Sequence, residues 1–314
     1  MARASLPKRI WLTLAFIFQY IFIFVFKDIP QCVLQRKKKV ENQVIVITGG
    51  AMGIGKESAK LFALDHGAKV CILDVNEKEG LKTIDEITQA GGEAYFYPCD
   101  ISNYKSIEEI AEKIHNDPRL GFVDILVANA AILKFGEIMD LSIEDYKKSN
   151  DVNILGQIYT IKIFLPKMIA ANRGHIATVG SICSFYGEYC GTAYCTAKFA
   201  IRGFMEALHM ELMEKELNSI KITNIHPYFV RTNLIGHLDE PYSTYFDVVP
   251  LDRCSREVVD AILKERIVHF IPSGITFLCL FLKCLATRNT IPLGRKLFNF
   301  TYEPKGKLAS VKAV

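Results

Sequence analysis

VIVITGGAMGIG, residues 44–55, is the stretch whose reading decides the fold. Its first five residues are β-branched and, up to Thr48, apolar, the composition and length of a buried strand. Glycines follow at positions 49, 50, 53 and 55, and a helical apolar pattern then begins with Ile54, Leu61, Phe62 and Leu64. Placed between a strand and a helix, the glycines have distinct uses. Gly49 permits a tight turn, Gly53 lets the backbone approach a pyrophosphate, and Gly55 allows close helix–strand contact. The helix amino terminus then offers free N–H groups and positive potential to phosphates. A glycine turn elsewhere would read as a loop. In this position Thr48, Gly49, Gly53, Ile54 and Gly55 read as the phosphate-side wall of a dinucleotide site.

Downstream, apolar runs of strand length alternate with amphipathic stretches of helix length. Strands are predicted at 69–73, 94–97, 123–128, 175–179 and 220–225, with helices near 77–89 and 106–115 and longer helical stretches beyond. Continuously apolar strands are those covered on both faces, and the repeated strand–helix alternation predicts an α/β fold with one doubly wound parallel sheet. No fixed-period repeat or low-complexity segment interrupts it. The predicted organisation is a membrane anchor and basic linker over residues 1–41, a catalytic domain over 42–272, and an apolar extension with a basic tail over 273–314.

The second strand ends at Asp74, about twenty residues beyond the glycine turn. A carboxylate there accepts hydrogen bonds from both ribose hydroxyls of NAD and repels a 2′-phosphate. No basic residue follows it immediately, although Lys56 is a cation that could favour a phosphate. The expected cofactor is therefore NAD. Asp100, after the third strand, stands where an adenine contact is expected. Asn129 follows the fourth strand, where it can tie neighbouring strands together.

Tyr194 and Lys198 are four residues apart and share one helix face. Tyrosine with an ordinary pKa near 10 is a poor base at neutral pH, and a neighbouring ammonium favours its ionised form. Ser181 lies thirteen residues upstream, just after a strand, where its hydroxyl can hold a substrate oxygen. Ser184 is the alternative at that loop. Asn153, a poor helix former inside a long helical stretch, is either a helix-bending residue or the holder of a water that relays protons through Lys198.

These residues together resemble the short-chain dehydrogenase/reductase superfamily, with its Rossmann-type fold, from residue 44 to residue 271. The motifs are TGGAMGIG, Asp74, Asp100, Asn129-Ala130-Ala131, Asn153, Ser181 and Tyr194-Cys195-Thr196-Ala197-Lys198. The resemblance implies that Tyr194 exchanges the alcohol proton while hydride passes to the nicotinamide. Ser181 would stabilise the oxygen, Lys198 tune Tyr194 and bind ribose, and Asn153 support the relay. It also implies a cofactor loop at HPYFVRT, where Pro227, Val230 and Thr232 are kept and Tyr228 replaces the usual glycine. The apolar amino terminus, PYFVRTNL and the tail IPSGITFLCLFLKCL are similar to the branch containing epidermal retinol dehydrogenase and the lipid-droplet 17β-hydroxysteroid dehydrogenases. That branch implies a lipophilic alcohol as substrate and residence on the endoplasmic reticulum or lipid droplets.

Residues 10–26 are apolar apart from Thr13, Gln19 and Tyr20. As a helix they extend roughly 25 Å, against a hydrocarbon core of ~30 Å. Basic residues flank the segment, and the RKKK run after it favours a cytosolic body. A cleaved signal peptide is the rival, disfavoured by the segment's length and the lack of a small-x-small cleavage site. Residues 1–41 carry a net charge of +6 out of +4 for the whole chain, so the body is near neutral. That balance argues against a nucleic-acid partner and for a membrane or lipid-droplet surface. A second copy of the chain is a further candidate partner. Nine scattered cysteines, with no CxxC pair, predict reduced thiols and no metal site, and Cys183, Cys190 and Cys195 read as small packing residues.

The substrate lid is expected after the sixth strand, over residues 232–253, with Leu234, Ile235, Tyr242, Tyr245 and Phe246 either packing the loop or lining an apolar pocket. Residues 275–285 are expected to dock on a membrane or roof that pocket. An NADPH-dependent carbonyl reductase and a non-catalytic membrane protein with a vestigial nucleotide site are the competing functional readings.

Overall fold

The computed structural model describes residues 5–235, 247–280, 285 and 287–293, and the chain divides into two units, Met1–Lys38 and Lys39–Val314. The first unit is helical. Helix α1 (Leu6–Ile23) runs through a π-helical turn (Phe24–Asp28) into α2 (Ile29–Leu34). Pro7 opens α1 in its first turn, where a missing N–H is harmless. None of the α1 side chains is buried, and Leu6–Lys27 is long and apolar enough to cross a membrane, about 33 Å at the α-helical rise.

The second unit is built on seven strands: β1 (Val44–Thr48), β2 (Lys69–Asp74), β3 (Glu93–Pro98), β4 (Val123–Ala128), β5 (Gly174–Val179), β6 (Ile220–Pro227) and β7 (Val268–Ile271). They form one parallel sheet in the order β3-β2-β1-β4-β5-β6-β7. The helices are α3 (Gly53–Lys60), α4 (Glu77–Gln89), α5 (Tyr104–Asn116), α6 (Ile143–Asn150), α7 (Gln157–Ala171), α8 (Thr192–Glu214), α9 (Leu251–Leu263) and α10 (Thr276–Leu280). Asn76, Asn103 and Ser142 cap α4, α5 and α6, the last through a reciprocal capping box with Asp145.

Side chains alternate across each strand, and this sorts the core into two layers. Ile45, Ile47, Val70 and Ile72 face one side, packed with Phe62 and with Val258, Val259 and Ile262 of α9. Val44, Val46, Cys71 and Leu73 face the other, packed with residues of α5, α7 and α8 such as Ile110, Phe164 and Met205. Helices on both faces explain why the strands are apolar at every position. The expected doubly wound parallel sheet is the sheet observed, with one strand more than the apolar runs indicated. Strand β7 has four residues, and the first, Val268, is exposed.

Strand order reverses between β1 and β4, whose carboxyl ends therefore part. A crevice opens there, which is where ligands of such sheets bind.

Candidate active site

A cavity of about 730 Å³ occupies that crevice. Gly49, Gly53, Ile54, Asp74, Asp100, Asn129 and Thr232 all line it. Gly49 has φ +67°, and a Cβ there would meet the Ala130 backbone at 2.7 Å. At Gly55 a Cβ would lie 2.2 Å from the Gly49 carbonyl oxygen, so glycine alone lets α3 start this close to the turn. The Thr48 hydroxyl accepts the N–H groups of Asn129 and Ala130, both at 3.1 Å. The Asn129 side chain donates to the Thr48 and Gly49 carbonyls at 3.0 Å. These bonds lock the exit of β4 to the exit of β1. The cradle, its glycine geometry and the strand-end carboxylate fit a nicotinamide dinucleotide.

Asp74 accepts the Ala51 N–H at 3.0 Å and the Asn76 N–H at 2.9 Å, which fixes its carboxylate at the rim. Asp100 accepts the Ser102 N–H and hydroxyl at 2.9 and 2.7 Å. Lys56 points elsewhere, paired with Glu86 at 2.8 Å. That hydrogen bond, with Lys60 assisting, holds the Glu86 carboxyl below its ordinary range.

A second, smaller cavity adjoins the first, and Thr232 and Leu234 line both. Ser181 and Tyr194 sit in its wall. Ser181 is extended and opens a short 3-10 turn (Ile182–Ser184), its Oγ accepting the Cys183 N–H at 3.1 Å. Its own proton is thereby left to donate. Tyr194 and Lys198 stand one turn apart near the start of α8. Lys198 is fully buried, its Nζ donating to the Val179 carbonyl at 3.0 Å and lying 5.5 Å from the Tyr194 ring centroid.

Burial lowers the Lys198 pKa to about 8, so the ammonium persists at neutral pH. Burial also pushes the Tyr194 phenol above its ordinary range, with the Cys183 thiol adding to the rise and the Ser181 hydroxyl opposing it. In the protein alone, removal of the phenolate from water dominates.

Residues 43–243 match the family model for short chain dehydrogenases. The chain belongs to that family. It is 31% identical to 17-beta-hydroxysteroid dehydrogenase 13 of Homo sapiens over 288 residues, covering 90% of this chain and 91% of that one. With epidermal retinol dehydrogenase 2 of Mus musculus it shares 30% identity over 250 residues, 79% of this chain and 80% of the relative. In fold it is similar to a short chain dehydrogenase/reductase from Burkholderia phymatum solved in complex with NAD, with a TM-score of 0.71 and 21% identity, covering 86% of this chain and 99% of the other.

In this short-chain dehydrogenase Asn153 lies in a π-helical turn (Asp151–Gly156) between α6 and α7, a local irregularity often found at functional sites. Its Oδ1 accepts the Ile132 N–H at 2.8 Å, and its Nδ2 donates to the Ile132 carbonyl at 2.8 Å and to Ser149 at 3.2 Å. Both amide hydrogens are thus occupied by protein. Asn153 pins the loop after β4, where Ile132 lines the larger cavity and Leu133 the smaller. Ser184 is buried and lines neither cavity. Pro227, Val230 and Thr232 line the smaller one, beside Tyr228. Leu234 and Ile235 also line it, whereas Tyr242, Tyr245 and Phe246 lie outside the described residues. Of the apolar tail, Ile275 and Cys279 join the core, and residues 281–284 lie outside the described residues.

Two contributors escaped the motif reading. Glu188, a buried carboxyl, lines the smaller cavity without any spacing signal to mark it. His226 supports Ser181: its Nδ1 lies 3.2 Å from the Ser181 carbonyl, while Phe185 and Phe270 pack on the ring at 4.8 and 5.4 Å. Nδ1 therefore carries the proton, and burial lowers the His226 pKa to about 3 from an ordinary 6.5. The unfolded chain binds a proton here that the folded chain refuses. Stability is therefore lost as pH falls from about 6.5 towards 3, by about 2 kcal/mol from this residue at pH 5. Urea unfolding at pH 7.5 and pH 5 should show His226→Asn losing less stability on acidification than the parent, by about that amount.

Proposed function

We propose that the chain is an NAD-dependent dehydrogenase that oxidises a lipophilic alcohol of the retinol, hydroxysteroid or long-chain class, with Tyr194 as its acid/base. One observation carries this reading: Tyr194 and Ser181 stand together in the wall of an apolar cavity that adjoins the dinucleotide-sized one, with a buried cation one helical turn from Tyr194. Leu133, Phe135, Ile182, Phe229 and Val230 give the smaller cavity its apolar walls, suited to a lipophilic substrate. The names of the relatives, a retinol dehydrogenase and a 17-beta-hydroxysteroid dehydrogenase, fall in the same substrate class.

Bound in the larger cavity, the oxidised dinucleotide supplies the hydride acceptor. Ser181 donates to the substrate oxygen and holds it beside Tyr194. Tyr194 takes the hydroxyl proton from that oxygen, and Lys198 stabilises the phenolate that makes this possible. Asn153 works at one remove, by fixing the loop at Ile132. Tyr194→Phe keeps the ring and removes only the proton-exchanging group. Turnover of retinol, a hydroxysteroid or a fatty alcohol should then fall at least ~10²–10⁴-fold while NAD binding survives. Near-normal turnover by the folded variant would contradict the mechanism.

The preference for NAD rests on the fixed carboxylate at Asp74 and on Lys56 being drawn away to Glu86. Replacing Asp74 removes hydrogen bonds to a charged acceptor, typically ~1.5–3 kcal/mol, or about 10–100-fold in affinity. Asp74→Ala with Val75→Arg should therefore raise the KM for NAD by that factor and admit NADP. A parent enzyme that already prefers NADP would favour the carbonyl-reductase reading instead.

Residues 1–38 serve as the anchor to the endoplasmic reticulum or lipid-droplet surface, with the body in the cytosol. The unburied apolar helix with basic residues on both sides supports this. Deleting residues 2–27 should move most of the protein from the membrane to the soluble fraction on flotation. Recovery of a processed chain beginning after Phe26 inside sealed microsomes would support a signal peptide instead.

A further inference from the structure

We propose that the smaller cavity admits the end of a linear primary alcohol and excludes an alcohol whose carbinol carbon belongs to a fused ring system. This narrows the substrate class within the dehydrogenase reading above, and rests on it. The cavity measures about 80 Å³. An apolar cavity of ~150 Å³ takes a single benzene molecule, so about half that space is too little for fused rings. Beside Ser181 and Tyr194, its walls include Leu133, Phe135, Ile182, Phe229 and Val230.

The reaction sets how much of a substrate has to enter. Its oxygen must come within hydrogen-bond reach of Ser181 and Tyr194, and the carbon bearing that oxygen must face the hydride acceptor in the larger cavity. A primary carbinol meets both demands with one carbon branch, and the rest of the chain can trail out of the cavity. A ring-borne carbinol has two branches. It brings its own ring inside, and the ring fused to that one follows.

A small cavity restricts its guests only if its walls hold still, and here backbone hydrogen bonds fix them. Leu133 and Phe135 are bracketed on one side by Ile132, bonded through its N–H and its carbonyl to Asn153, both at 2.8 Å. On the other side the Gly136 N–H donates to the Cys190 carbonyl at 2.8 Å. Phe229 and Val230 lie between two further ties. The Tyr228 N–H donates to the Ile271 carbonyl at 2.7 Å, and the Arg231 N–H to the Val249 carbonyl at 3.2 Å. The Phe229 carbonyl also accepts the Val249 N–H at 2.8 Å. Ile182 sits in the 3-10 turn, its carbonyl accepting the Phe185 N–H at 2.8 Å. Spreading these walls breaks such bonds, so a ring is admitted more readily by shortening a side chain. Phe135 and Phe229 are bulky and only half-buried, so either can be shortened without emptying the core.

The test compares kcat/KM for 1-dodecanol and for 17β-estradiol at saturating NAD. It is run on the full chain purified in detergent, and on Phe135→Ala and Phe229→Ala. A single methylene too many in a fixed apolar pocket is typically worth ~10–200-fold, so the parent should favour dodecanol by about tenfold or more. Each variant should narrow that ratio by about tenfold, through a higher value for estradiol. Partitioning into detergent is common to parent and variants and cancels between their ratios. A parent ratio under about tenfold overturns the proposal and leaves the dehydrogenase reading standing. So does an unchanged ratio in a folded variant. If both variants fail to fold, the parent's ratio decides alone. Oxidation of neither alcohol by the parent overturns the dehydrogenase reading itself, and this inference with it.

Discussion

The ammonium of Lys198, shut away from water against the carbonyl at the end of β5, is the constraint on which the site depends. Its burial disfavours the charged form by about 3 kcal/mol, the equivalent of the fall from 10.5 to about 8. Even so, the group remains a cation near neutrality. Tyr194 stands in the same poorly solvated place and resists ionisation for the same reason. Each charge alone is disfavoured there, but the two together attract in a medium that screens little. A phenolate is therefore reachable only as the partner of that ammonium. The sheet, the turn at Ser181 and the start of α8 together keep the two groups one helical turn apart.

Around this pair, the loops after β4, β5 and β6 divide the labour. The loop after β4 is pinned by Asn153 and contributes Ile132 to one cavity and Leu133 to the other. The loop after β5 carries Ser181 and is propped from beneath by His226, an aromatic-packed base that burial keeps neutral. The loop after β6 gives Thr232 and Leu234 to both cavities. A dinucleotide and an apolar substrate can then meet at the edge those loops share. Helix α1 of the first unit, apolar and unburied, is a candidate membrane anchor.

Much of this was legible in the sequence because it follows from spacing. VIVITGGAMGIG announces strand, turn and helix in order. The four-residue separation of Tyr194 and Lys198 fixes a shared helix face, and Ser181 follows a strand that its apolar run makes plain. What escaped depends on contacts that no local pattern encodes. Strand β7 is too short for a periodicity, and its place beside β6 is a tertiary fact. Asn153 marks a π-helical turn whose purpose appears only when Ile132 arrives from 21 residues away. His226 and Glu188 have no motif spacing to betray them. The burial of Tyr194, which raises its pKa in the protein alone, is likewise unreadable from spacing.

The central claim is that the buried ammonium sets the ionisation of the tyrosine, and the pH dependence of kcat/KM for alcohol oxidation tests it most directly. The account predicts a rate that rises with pH as Tyr194 ionises, and Lys198→Met should move the inflection upward by at least about one unit. An inflection that stays in place in a folded Lys198→Met variant that still turns over substrate would contradict it.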